Sequence, residues 1–175
     1  GKSVGVEDRQ KNIPVFRELI RFCRDRSIPV FWSQQIHLAD DKARLGKTLK
    51  SHTQKQKFTP CLRGTFETEI YEPIRDLVGE SDFLIEKHRA SLFFDTNLST
   101  KLRMLGTRHL IVAGCNTEFC VAHSIRDAYA RDFDILVVED AVAGIDPKLH
   151  QYCLEIFQAY FAEVTRLASL RNFFE

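Results

Sequence analysis

Cys120 occupies a position from which a thiol can act as a nucleophile. Residues 109–128, HLIVAGCNTEFCVAHSIRDA, open with an apolar run of the kind that fills a parallel strand buried on both faces. The run breaks at Gly114, passes through a polar turn and resumes at helical spacing with Val121, Ile125 and Ala128. Cys120 thus falls at the joint between strand and helix. In an open α/β sheet, ligands collect at such joints, where helix N-termini present unpaired N–H groups and partial positive charge. A thiol held there ionises more readily, and the thiolate is the attacking species. The competing reading is a small buried hydrophobe, the commonest state of a free cysteine.

The elements that must hold this joint alternate along the chain. A helix spans residues 13–26, apolar at Ile13, Phe16, Leu19, Ile20 and Cys23, with Asn12 as its cap and Pro14 in its first turn. A strand at residues 28–32 ends in Ser33, Gln34 and Gln35. Residues 36–64 have no sustained period and read as a long loop, a length usually reserved for function. A short helix near Ile70, Ile74 and Leu77 precedes a strand at 82–85 that closes on Lys87. A helix at 98–105 stops at Gly106, a strand follows at 135–138, Pro147 starts a helix to residue 162, and a last strand lies at 164–167. Strands alternating with helices predict a three-layer α/β fold, a doubly wound, mostly parallel sheet with helices on both faces.

A chain of 175 residues suits one domain, 1–175, with a substantial core. Its net charge of +1 and lack of long charge runs argue against nucleic acid or membrane partners and for a small ligand. No apolar run reaches the roughly 20 residues that cross a bilayer, and the first residues contain no signal-peptide core, so a cytoplasmic location is expected. The five cysteines are odd in number and scattered, and read as free thiols.

Two segments resemble the isochorismatase-like cysteine hydrolases. GCNTEFCVAHSIRDA is similar to their nucleophile segment at Gly114, Thr117, Cys120, Val121, Asp127 and Ala128. EKHRASLFFDTNLSTKLRMLG is similar to their lysine block at Lys87, Ser91, Phe93, Thr96 and Leu98. The resemblance implies that the Cys120 thiolate attacks an amide-like carbonyl of a small molecule, an amine or ammonia leaves, and water hydrolyses the thioester. Lys87 would favour the thiolate, and the N–H groups of Asn116 and Cys120 would receive the oxyanion. A cis peptide at Cys115-Asn116 is a further implication. Trp32, Gln34, Gln35, Arg89, Phe93 and Thr117 are candidate substrate-binding residues, with Phe94 nearby. Arg89 could instead line a loop, and Thr117 could shape the turn. Related hydrolases are commonly homodimers or homotetramers, and their counterpart of loop 36–64 covers the site.

The carboxylate that takes the thiol proton in these relatives ends a first strand, in an apolar run closing Asp-x-Gln. The present sequence resembles the family from just after that point, so the strand is expected upstream of Gly1; a silent member that binds a small molecule or a protein is the alternative. Asp8 is a poor substitute, and Asp95 and Asp140 read as cap or turn residues. The nicotinamidase branch holds zinc through Asp-x-His and a further His. Here Gln35 replaces that Asp, and His37 and His52 alone are a weak set, so no metal and no cofactor is expected. No Gly-rich nucleotide motif occurs.

Overall fold

Apolar runs and amphipathic spacings resolve into parallel strands covered on both faces, in a computed structural model that describes residues 10–45, 49 and 59–174. The elements are α1 (Ile13–Asp25), β1 (Phe31–Gln35), α2 (Lys42–Leu45), α3 (Glu72–Arg75), β2 (Phe83–Lys87), α4 (Leu98–Met104), β3 (His109–Cys115), α5 (Ala122–Tyr129), β4 (Asp134–Ala143), α6 (Pro147–Ile156), β5 (Glu163–Thr165) and α7 (Leu167–Leu170). Short π-helical turns, Thr117–Val121 and Phe157–Phe161, precede α5 and follow α6. Among the described residues no helix is long and apolar enough to cross a membrane.

Among the described residues the strands pair as β1-β2 and as β3-β4-β5, with parallel pairing throughout. Alternation along β4 places Ile135 and Val137 against α4, α5 and Phe157, while Val138 and Ala141 meet α1 and α7 on the opposite face. This is the expected three-layer α/β arrangement.

Several local expectations are corrected. β1 starts at Phe31 rather than residue 28, because its partner begins at Phe83 and the register runs from Phe31↔Phe83 to Gln35↔Lys87. Residues 28–30 instead lead out of α1, after Ser27 turns through the left-handed region at φ 53. Asn12 does not cap α1 through its side chain; its amide donates to the Val142 carbonyl at 3.1 Å. β4 continues through Glu139 and Asp140, so Asp140 is a strand residue, and its carboxylate accepts the Leu167 N–H at the start of α7. The helix from Pro147 is capped by Asp146, and its buried residues are Leu154 and Phe157, whereas Leu149 and Tyr160 face solvent. β3 is not buried on both faces: every residue between its ends is only partly covered. Among the described residues it pairs with β4 alone.

Candidate active site

β2 and β3 each end in a residue poised at the same carboxyl edge. Lys87 closes β2, and β3 ends at Cys115, from which the chain turns through Asn116 into the π-helical turn carrying Cys120. The Lys87 Nζ lies 3.4 Å from the Cys120 Sγ. Residues 33 positions apart in the chain therefore share one site. An ammonium in contact with sulfur favours the thiolate over the thiol.

Lys87 is held by its neighbours on two strands. It is 3% exposed, it donates to the Gln35 side-chain carbonyl and, at 3.2 Å, to the Arg89 carbonyl. Gln35 also donates to the Lys87 carbonyl, so its amide orients the lysine from both ends. The sequence reading placed Gln35 only in the substrate pocket. Its partner lies 52 residues on and is set by the β1-β2 register, which no local pattern encodes.

The turn carrying Cys120 is fixed by polar contacts from several elements. The Val121 N–H reaches the Asn116 carbonyl at 3.1 Å, the five-residue step of a π turn, a geometry that recurs at functional sites. The peptide bond between Cys115 and Asn116 is cis. Ser124 donates its hydroxyl to the Cys120 carbonyl at 2.8 Å and accepts the Leu92 N–H at 2.9 Å, tying the Cys120 turn to the segment after Lys87. Glu118 accepts the N–H groups of Ile145 and Asp146, which anchors the other side of the turn. Neither Ser124 nor Glu118 stood out in the sequence; a helical serine four residues after Cys120 was the available signal for the first.

The other candidates divide. Trp32 and Phe93 are buried and line a cleft of about 440 Å³ that Lys87 and Cys120 also line. Gln34 donates to the Thr68 carbonyl. Arg89 is committed to Asp41, with contacts of 2.6 and 3.1 Å, and this pairing holds the Asp41 carboxyl below the usual range. Thr117 is fully buried and its hydroxyl meets the His150 ring at 2.9 Å, so it braces the turn. Phe94 is exposed. Asp95 adopts a positive φ of 54, a turn conformation tolerated by Asp. Asp8 and His52 lie outside the described residues.

The residues do not fit a zinc set. The Gln35 carbonyl oxygen is engaged by Lys87, and the His37 Nδ1 faces the Arg44 guanidinium at 3.5 Å. Among the described residues no three His, Cys, Asp or Glu side chains gather as metal ligands.

Comparison with known proteins agrees with this geometry. The isochorismatase domain family matches residues 2–169. A probable inactive nicotinamidase of Arabidopsis thaliana is 30% identical over 152 residues, covering 86% of this chain and 76% of its own. The crystal structure of N-carbamoylsarcosine amidase from Thermoplasma acidophilum superposes with a TM-score of 0.73 at 29% identity, covering 94% of this chain and 87% of that one. An isochorismatase-like hydrolase from Alkaliphilus metalliredigens shares the fold at a TM-score of 0.80 and 21% identity, over 95% and 86% of the two chains. The chain belongs to the isochorismatase family.

Proposed function

We propose that this family member is a cysteine-dependent hydrolase that cleaves a C–N bond, of amide or carbamoyl type, in a small molecule. The observation that carries the reading is the 3.4 Å contact between Lys87 and Cys120 at the carboxyl edge of the strands, beside an apolar cleft. Its likeness to N-carbamoylsarcosine amidase supports the bond type.

In this reading the Cys120 thiolate attacks the substrate carbonyl carbon, and the developing oxyanion accepts hydrogen bonds from the N–H groups of Asn116 and Cys120. The C–N bond breaks as the leaving nitrogen takes up a proton, and the acyl group stays on sulfur as a thioester. Water then attacks the thioester carbonyl and releases the acid and the thiol. Lys87, oriented by Gln35, keeps its side-chain nitrogen in contact with the sulfur. Trp32 and Phe93 supply apolar walls for the substrate. A homo-oligomer, dimer or tetramer, is part of the proposal, to be checked by light scattering.

The test is acyl-enzyme capture. Intact-mass spectrometry after a brief exposure to an activated carbamoyl or acyl ester should show one adduct, mapped to Cys120 and absent from Cys120→Ala. Lys87→Met should slow adduct formation by about 10²-fold or more, the loss typical of a single electrostatic group in such sites. Selectivity has a built-in contrast, since burial pushes the Cys23, Cys61 and Cys153 thiols up, with Glu67 adding to the effect on Cys61. An adduct spread over all the cysteines would overturn the reading.

A second reading is supported by one of the relatives, which carries the name of a probable inactive nicotinamidase. A silent member would bind amides in the cleft, with saturable calorimetric binding and no adduct.

A further inference from the structure

Three of the five cysteines gather around Lys87. Cys115 ends β3, Cys120 sits in the turn after it, and both line the cleft with Lys87. Cys61 arrives from a different segment. Just past β1, the Ile36 N–H donates to the Lys87 carbonyl at 2.9 Å and the His37 N–H donates to the Cys61 carbonyl at 2.8 Å. His37 and Leu62 form a parallel bridge, and the Arg63 N–H returns to the His37 carbonyl at 2.9 Å. This short ladder carries Cys61 alongside the strand end that bears Lys87, whose Nζ lies 3.4 Å from the Cys120 Sγ. The groups whose charge acts on the Cys61 thiol are accordingly Glu67, Lys87, Cys120 and Cys115. Cys23 and Cys153 belong to α1 and α6.

The hydrolysis proposed above uses one of these thiols and leaves Cys61 without a part. Cys61 is nevertheless only half-buried, and its backbone is held at φ 51, a conformation uncommon for a residue other than Gly, Asn or Asp. A thiol beside an ammonium is also the kind that peroxides oxidise, since oxidation follows thiolate character and access, and a second thiol nearby can resolve the product. Two thiols could serve as that second one. A bond from Cys120 to Cys115 would have to rebuild the turn between them, which the Val121 N–H closes on the Asn116 carbonyl and the fully buried Thr117 anchors. A bond to Cys61 joins two separately held segments and leaves that turn as it is.

We propose that Cys120 and Cys61 form a reversible disulfide, with a hydroperoxide as the oxidant, and that this bond blocks the Cys120 sulfur. The Cys120 thiolate attacks one peroxide oxygen, the O–O bond breaks, and the departing hydroxide takes up a proton to leave as water. The sulfur is then a sulfenic acid. Cys61 gives up its proton and attacks that sulfur, the S–O bond breaks, and the second oxygen leaves as water. Two thiols have thus passed two electrons and two protons to the peroxide. A dithiol reductant reverses the bond by exchange and is itself oxidised to a disulfide. The order of events has a physical basis: burial and Glu67 push the Cys61 thiol up against the pull of Lys87, which suits it to the second step. The choice of Cys120 as the sulfur oxidised first rests on the reading of it as the attacking thiolate.

The test exposes the reduced protein to a small excess of hydrogen peroxide, blocks remaining thiols with N-ethylmaleimide, and maps the cysteines by mass spectrometry after digestion without reductant. The expected product is a monomer lighter by two hydrogen atoms, with Cys61 joined to Cys120, and dithiothreitol should restore both thiols. Cys115→Ser should still form the bond. Cys61→Ser should not; its Cys120 should instead be trapped by dimedone as the sulfenic acid and pass on to the sulfinic acid under more peroxide. A bond from Cys115 to either of the other two, over-oxidation of wild-type Cys120 without any disulfide, bonds only between chains, or oxidation spread over all the cysteines would overturn the proposal. The readout needs no turnover. A Cys61–Cys120 bond in a protein that takes no acyl adduct defeats the hydrolase reading alone, and an adduct at Cys120 in a protein that never forms the bond defeats this proposal alone.

Discussion

The two sheets are held by different physics. The three-stranded sheet is held by apolar burial: Val137, Val138 and Phe157 are fully inaccessible, and helices cover β4 on both faces. The two-stranded sheet has less to bury, and its amino end is fastened by a polar clasp on Asp82. That carboxylate, with its side chain 1% exposed, receives Arg24 through two contacts of 2.5 and 2.6 Å, the Trp32 indole N–H at 2.7 Å and the Gly79 N–H at 2.9 Å. Burial by itself would raise the Asp82 pKa, but the hydrogen bonds from Arg24, Trp32 and Gly79 outweigh it and bring it down to about 2. A Cβ at position 79 would stand 2.9 Å from the Arg24 guanidinium, so a larger residue there would have to displace the end of that side chain. The lesson is that directional bonds, rather than apolar burial, fasten the amino end of this strand pair.

The contrast can be broken first at its apolar side. Phe157→Ala should lower stability by about 3–5 kcal/mol, the usual result of emptying a fully buried aromatic site, and the loss should be the same at low and high salt. Chemical denaturation measures it. A cost below that of disrupting Asp82 would mean that the larger sheet does not rest on this core.

Asp82→Asn should come next, at about 2 kcal/mol near neutral pH. The sign follows from a folded pKa below the ordinary value of 3.8: the stabilisation is present above that value and is lost as pH falls towards 2. Wild type and variant should therefore converge in a pH series between about 4 and 2. Parallel curves would show that the clasp is not ionic.

Ser124→Ala tests the joint between the two sides of the site, where one hydroxyl links the Cys120 turn to Leu92. It should cost about 1 kcal/mol and, by loosening the turn, slow adduct formation at Cys120 more than it shifts the unfolding midpoint. Arg17→Ala, which removes an ion pair to the largely exposed Asp76, should leave the midpoint unchanged, because such pairs are weak in water. A sizeable loss there would extend the polar clasp to the surface.

Much of this molecule could be read from its residues. The order of strands and helices follows from apolar periodicity, and the helix at Leu98 and its stop at Gly106, which takes φ 64, follow from spacing and backbone chemistry alone. Cys120 was named from its position at a strand-helix joint and Lys87 from the resemblance of its segment to the family's lysine block, and the fold brings them into contact. Boundaries were less legible where a partner decides them. Val30 is as apolar as Phe31, yet only Phe31 falls opposite a strand residue, and Glu139 and Asp140 lie within a strand because β4 runs on past them to pair Val142 and Ala143 with Gly114 and Cys115.

What the sequence determined by itself is therefore the set of local structures and the chemical types available, since helix spacing, strand runs, turn residues and a thiol at a strand-helix joint depend on near neighbours. The tertiary structure alone decided which distant groups meet. Gln35 orients Lys87, Asp41 claims Arg89, Ser124 joins the two halves of the site, and β3 takes its register from β4. Register and sheet order follow from backbone pairing between segments many residues apart, and a side chain's identity does not record which strand will lie beside it.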